Sequence, residues 1–170
     1  MPTGLKQSSS VVSIGFQALE SAANTFVQTS VDLNLSPLDR EVFVVLAVNL
    51  DTFTPDAVAG VDTRVNSSVS TTSQTAVTDI NNSNCLAAHA NLIKAAGFID
   101  SGVGFTTGAI ETPPATLEYI GIIATNDFFV QCLGTNNLAA RGVNGRMWGY
   151  RARADASIYA ALVQSEVLSA

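Results

Sequence analysis

The side chains best suited to chemistry in this sequence are Cys85 and His89, four positions apart in NCLAAHANLIKA. If the segment is helical, a thiol and an imidazole at that spacing share one face. A cysteine nucleophile needs an activated thiolate and an oriented base, and no acid nearby would orient His89. Two ligands are also too few for a structural metal site, which takes about four. His89 is the only histidine, and the segment places it on or beside an apolar stripe, as a packed or partly exposed side chain. Gly142-Val143-Asn144-Gly145 has two glycines but no following Lys-Ser/Thr, so it does not make a phosphate loop. Asn66 and Asn81 start short glycosylation-like triplets that arise by chance. The acids are scattered, with no pair placed for glycoside or proton chemistry. The sequence therefore predicts no catalytic residue, no metal and no cofactor. Cys85 and Cys132 have no short-range partner and read as free, buried thiols rather than a disulfide.

The charge pattern is more informative. Arg141, Arg146, Arg151 and Arg153 fall in a stretch without any acid. Residues 1–136 hold four basic and twelve acidic residues, a balance of −8, whereas residues 137–170 hold four and two, a balance of +2. Trp148 and Tyr150 interleave with these arginines. Arg with aromatics is what interface centres favour, and the guanidinium fork suits bidentate pairing with carboxylates. Two outcomes are open: pairing with acids of the same domain, or contact with a neighbouring subunit through acids such as Asp51, Asp56 and Asp62. A phosphate contact is the third outcome, and the net charge of −6 argues against direct nucleic-acid binding by the chain as a whole.

Composition sets the class. At 170 residues the chain fits one domain. Only 13% of residues are charged, against roughly a quarter in an ordinary soluble domain. Ser, Thr and Asn supply the polarity instead, so copies can approach closely with little repulsion. The N-terminus is not a convincing signal peptide, because Ser13 and Gly15 break its short apolar part.

The elements that must carry these residues are mostly strands. Val42 to Val48 is an unbroken apolar run rich in valine, which predicts a central strand buried on both faces. Thr25 to Leu35 alternates and predicts a half-exposed strand, joined through Ser36-Pro37-Leu38-Asp39 to the central strand as a hairpin. Thr63 to Thr75 predicts an exposed Ser/Thr-rich strand. Asn84 to Ala96 predicts a helix, with Leu86, Ala90 and Ile93 as its stripe, Ser83 as its cap and Gly97 as its stop. Loops with one short strand near Val103 to Thr107 fill residues 98–115. Leu117 to Ala124 and Phe128 to Leu133 predict a second hairpin, and Arg146 to Ala154 a strand with Trp148 and Tyr150 on one face. A short C-terminal helix follows Asp155. Residues 1–23 predict an arm, helical or extended, whose Val12, Phe16 and Leu19 pack on the domain or reach a neighbouring subunit; residues 24–170 make the domain. The sum is an all-β antiparallel sandwich of about eight strands with one inserted helix.

In this order of elements the chain resembles the single jelly-roll coat (capsid) proteins of icosahedral viruses. The likeness is architectural and covers residues 24–156. It implies two four-stranded sheets, self-assembly into a shell, contacts with copies of itself and other virion proteins, and a place in the virion after synthesis in the host cytoplasm. Many coat proteins of small RNA viruses hold the genome with a basic N-terminal arm, but Lys6 is the only basic residue among the first 39 here. An internal membrane or another protein would then hold the genome. Two other classes stay open: an extracellular β-sandwich binding or adhesin module, and a small ligand-binding β-barrel.

Overall fold

The structure is a computed structural model and describes residues 2–95, 102–109 and 117–169. The strands are β1 (Leu5–Gln7), β2 (Val12–Leu19), β3 (Val27–Asp32), β4 (Glu41–Thr52), β5 (Thr63–Ser70), β6 (Cys85–Lys94), β7 (Val103–Ala109), β8 (Gly121–Ile123), β9 (Asp127–Thr135) and β10 (Gly142–Ala154). One helix, α1 (Ala156–Leu168), follows. The first sheet runs β1-β10-β4-β8, with β2 also pairing β10, and the second runs β3-β9-β5-β6-β7. Pairing is antiparallel throughout. Setting aside β1 and β7, the orders β2-β10-β4-β8 and β3-β9-β5-β6 make two four-stranded sheets between which the chain passes repeatedly. This is a jelly roll.

The valine-rich run explains the middle of the molecule. β4 lies between β10 and β8 in the first sheet. Its Phe43, Val45, Val48 and Leu50 enter the core between the sheets, where they meet Val65 and Val69 of β5, Phe128 and Val130 of β9, and Met147 of β10. Phe16 and Phe128 close this core edge to face, their ring centroids 5.5 Å apart. The alternate residues Val42 and Val44 enter a second core with Tyr150 and Ala152, closed by Ile158, Tyr159, Leu162 and Val163 of α1. The helix therefore makes a third layer. Asp155 stands at its N-cap position, but its side chain makes no capping bond. Among the described residues, side chains of both sheets fill the space between them.

Several expectations are corrected. The inserted helix near 84–96 is strand β6, paired with β5 on one edge and β7 on the other. The Leu86–Ala90–Ile93 spacing fits a helix, yet pairing on both edges decides the conformation, as expected where strand propensity depends on context. Ala96 and the Gly97 stop lie outside the described residues, as does most of the 98–115 segment. Neither expected hairpin forms: β3 pairs β9 while β4 pairs β10 and β8, and β8 pairs β4 while β9 pairs β3 and β5. Both short connections cross between sheets, which a turn signal alone does not distinguish from a reversal within one sheet. The Ser/Thr-rich strand β5 is buried and central rather than exposed. The 71–84 connection folds over its outer face, where the Ser68 hydroxyl donates to Gln131 Oε1 at 2.8 Å and Gln131 Nε2 donates to Ser70 Oγ at 2.7 Å. Buried polar groups are tolerated because their partners are present. Of the N-terminal segment, Leu5–Gln7 and Val12–Leu19 lie on the domain as β1 and β2, which both add to β10.

Candidate functional site and assembly surfaces

Strand geometry separates the pair that looked most chemical. Four residues along a strand span about 13 Å, so Cys85 and His89 do not meet. His89 instead turns inward, its Nδ1 2.8 Å from Thr52 Oγ1. Thr52 Oγ1 lies 2.6 Å from Ser67 Oγ, and Asn91 Nδ2 donates to the Thr52 carbonyl at 2.7 Å. Thr52 belongs to the first sheet and the other three to the second, so this cluster stitches the sheets together beyond the end of β8. Ser67 is 1% exposed, so its hydroxyl is a buried member of the cluster. The sequence concealed this cluster because Thr52 and Ser67 look like ordinary strand residues until the register sets them opposite His89.

The arginines do not form one face. Arg141 pairs with Asp56 of the same chain, and its backbone N–H donates to Glu20 Oε2 at 2.9 Å. Arg151 donates to the carbonyls of Leu33 at 2.7 Å and Asn34 at 3.1 Å and approaches Glu41 at 3.5 Å. It thus closes one end of the sandwich core. Arg153 lies 4.0 Å from Asp39, with both side chains more than half exposed, an arrangement worth little in water. Arg146 is exposed and makes no ion pair among the described residues.

The remaining proposed contact residues also divide. Phe16 and Tyr150 are buried in the two cores. Asp56 accepts the N–H groups of Leu138 and Ala139 in addition to pairing with Arg141, and Asp62 accepts the Ala95 N–H at 2.8 Å. Asp51 is exposed, Trp148 half-buried, and Val12 and Leu19 are 40% and 50% exposed. Helix α1 covers only the Val42, Val44, Tyr150 and Ala152 end of the first sheet. At the other end a recess of about 780 Å³ is lined by Asn49, Asp51, Asn144, Arg146 and Trp148, among others. The adjoining edge strand β2 carries no charge and no proline, and pairs only with β10 among the described residues.

Both cysteines are free and buried. Burial pushes the Cys132 thiol up to about 12, and also raises that of Cys85.

No family model matches the sequence. No curated protein matches it either. Among solved structures, the chain is similar to one from Desmodium yellow mottle tymovirus, with 14% identity and a TM-score of 0.31, over 92% of this chain and 96% of that one. At that score the superposition is loose, and the fold assignment rests on the strand order itself.

Proposed function

We propose that this protein is a structural subunit that assembles with copies of itself into a closed icosahedral shell, as a viral capsid protein of the virion. The observation that supports this most is the jelly-roll strand order, β2-β10-β4-β8 against β3-β9-β5-β6. The low charge of the surface allows close approach of copies. The uncovered end of the first sheet supplies anchors: Arg146, without an ion pair among the described residues, Trp148 beside it, Asp51 on the neighbouring strand, and the uncharged edge of β2 with Val12 and Leu19. An exposed edge strand presents unpaired N–H and C=O groups to another chain. On this reading the partners are further copies and other virion proteins, the genome is held by another component, and the protein is not an enzyme. Electron microscopy of the purified protein tests the reading. Closed particles of uniform diameter are expected, and a field without particles at any concentration contradicts it.

One observation favours a second reading, an extracellular binding module. The recess beside Trp148 combines an aromatic side chain with Asn49, Asp51, Asn144 and Arg146, a set that could stack on a sugar ring and bond its hydroxyls. A monomer that binds an oligosaccharide through Trp148 would favour it over the shell.

A further inference from the structure

The Ser36-Pro37-Leu38-Asp39 turn between β3 and β4 carries Leu38 at its tip, 95% exposed. A single exposed leucine needs no explanation by itself, but the backbone holds this one in place. The Glu41 N–H donates to the Ser36 carbonyl at 3.0 Å, the Arg40 N–H to the Pro37 carbonyl at 3.1 Å, and the Ser36 N–H to Glu41 Oε2 at 3.1 Å. Pro37 fixes its own φ as well. The turn therefore presents Leu38 ready-ordered, and little backbone freedom is left to lose on docking.

Beside the turn is a largely apolar recess of about 600 Å³, lined by Leu35, Pro37, Ala124, Tyr159 and Val163, among others. It lies where α1 meets the β3–β4 and β8–β9 connections. Among the described residues no charged side chain lines it. Tyr159 and Val163 are four residues apart on α1, and Val167, 57% exposed, is four further on, so it extends the same apolar stripe. Asp39, next to Leu38 in the turn, lies 4.0 Å from Arg153, and the two charges offset each other.

We propose that Leu38 of one copy seats in the recess of a second copy, while Leu38 of the second seats in the recess of the first, about a two-fold axis. Pro37 borders the recess and Leu38 follows it, so knob and hole stand side by side on one surface. A two-fold rotation that brings one knob to the other copy's hole brings the second pair together too, which is the self-complementarity an isologous contact requires. Like faces like in such a contact, and the uncharged lining with the balanced Asp39–Arg153 pair leaves no net charge to repel a second copy. This inference rests on the shell reading and adds a contact to it. A reciprocal contact alone stops at a dimer, and a head-to-tail contact alone gives a ring or a filament, so a closed shell needs more than one kind of contact. The recess beside α1 lies at the end of the molecule away from Arg146 and Trp148 and supplies the second kind.

Two measurements on the full chain test the contact. Leu38→Asp should melt as wild type when dissociated, because the side chain is exposed, yet should raise the concentration at which particles form by about tenfold or more, as loss of a central apolar anchor does. A photoactivatable diazirine residue at position 38, irradiated in a mixture of isotopically light and heavy chains, should join that position to α1 or to Leu35 and Pro37 of another chain. Denaturing gels should then show covalent pairs without a ladder, since a reciprocal contact stops at two. A Leu38→Asp chain that assembles at the wild-type concentration overturns the proposal. So do cross-links that stay within one chain or reach another surface, and a ladder of higher multimers overturns the two-fold arrangement. Wild-type particles in which position 38 joins no other chain overturn this contact and leave the shell reading standing. Cross-linked pairs from a chain that forms no particles uphold the contact and overturn the shell.

Discussion

Gly149 sits against Phe43 so closely that a Cβ there would lie 2.4 Å from the ring edge and 2.3 Å from the Val44 carbonyl oxygen. The register between β10 and β4 shifts at this point, between Trp148 and Gly149, so that Leu46 is the extra residue of a bulge. The bulge lets Phe43 and Val45 on one side of it, and Val48 and Leu50 on the other, all enter the same core. Gly149→Ala should destabilise the fold by about 1–3 kcal/mol through overpacking, and Phe43→Ala by about 3–5 kcal/mol through a cavity. Urea unfolding monitored by Trp148 fluorescence measures both.

Arg151 and Arg153 are two residues apart and should respond unequally to reversal. Arg151→Glu removes two charge-assisted bonds to backbone carbonyls at the end of the core and brings a carboxylate near Glu41. It should cost the folded chain about 2–4 kcal/mol. Arg153→Glu, with its side chain 61% exposed, should change stability by less than about 0.5 kcal/mol. Chemical denaturation of the two variants side by side distinguishes them, and equal losses would contradict the assignment of Arg151 to the core end.

The central strand was legible because every residue of Val42 to Val45 is apolar and only a doubly covered strand uses them all. The strands at β3, β5 and β10 were legible from alternation and β-branched content. The pairing partners were not, because Ser36-Pro37 and Thr125-Asn126 signal a reversal without saying whether it stays in one sheet. The segment at β6 misled for a physical reason: alanine-rich sequence has little strand preference of its own, and its conformation is dictated by the edges of β5 and β7. Among the proposed contact residues, charge type was visible in the sequence but distance was not. Arg141 and Asp56 are far apart along the chain and adjacent in space. Glu166 is 6% exposed, and nothing in its neighbourhood in sequence marks it as buried.

The two thiols should be inert in the folded protein. The thiolate is the reactive species, and with its pKa pushed up to about 12 Cys132 holds almost none of it at pH 8. Iodoacetamide at that pH should modify neither Cys85 nor Cys132 on the timescale of free thiols, and both at once in denaturant. Mass spectrometry of the intact chain reads the result. Rapid single modification of Cys85 in the native protein would contradict its burial.

The uncovered end of the first sheet should govern assembly without supporting the fold. Arg146→Glu and Trp148→Ala should each leave the stability of the dissociated chain within about 1 kcal/mol of wild type, because Arg146 is exposed and makes no ion pair among the described residues and Trp148 is only half-buried. Both should raise the protein concentration at which particles form, Arg146→Glu by placing like charge against an acidic neighbour. Light scattering against concentration checks this, and variants that assemble as wild type would put the contacts elsewhere.

The central claim is self-assembly of this jelly-roll chain, and sedimentation velocity of the purified protein tests it most directly. The account predicts one sharp, fast boundary whose mass is a large multiple of 17.7 kDa, in coexistence with few intermediates. A single slow boundary at the mass of one chain, unchanged across concentration and salt, would contradict it.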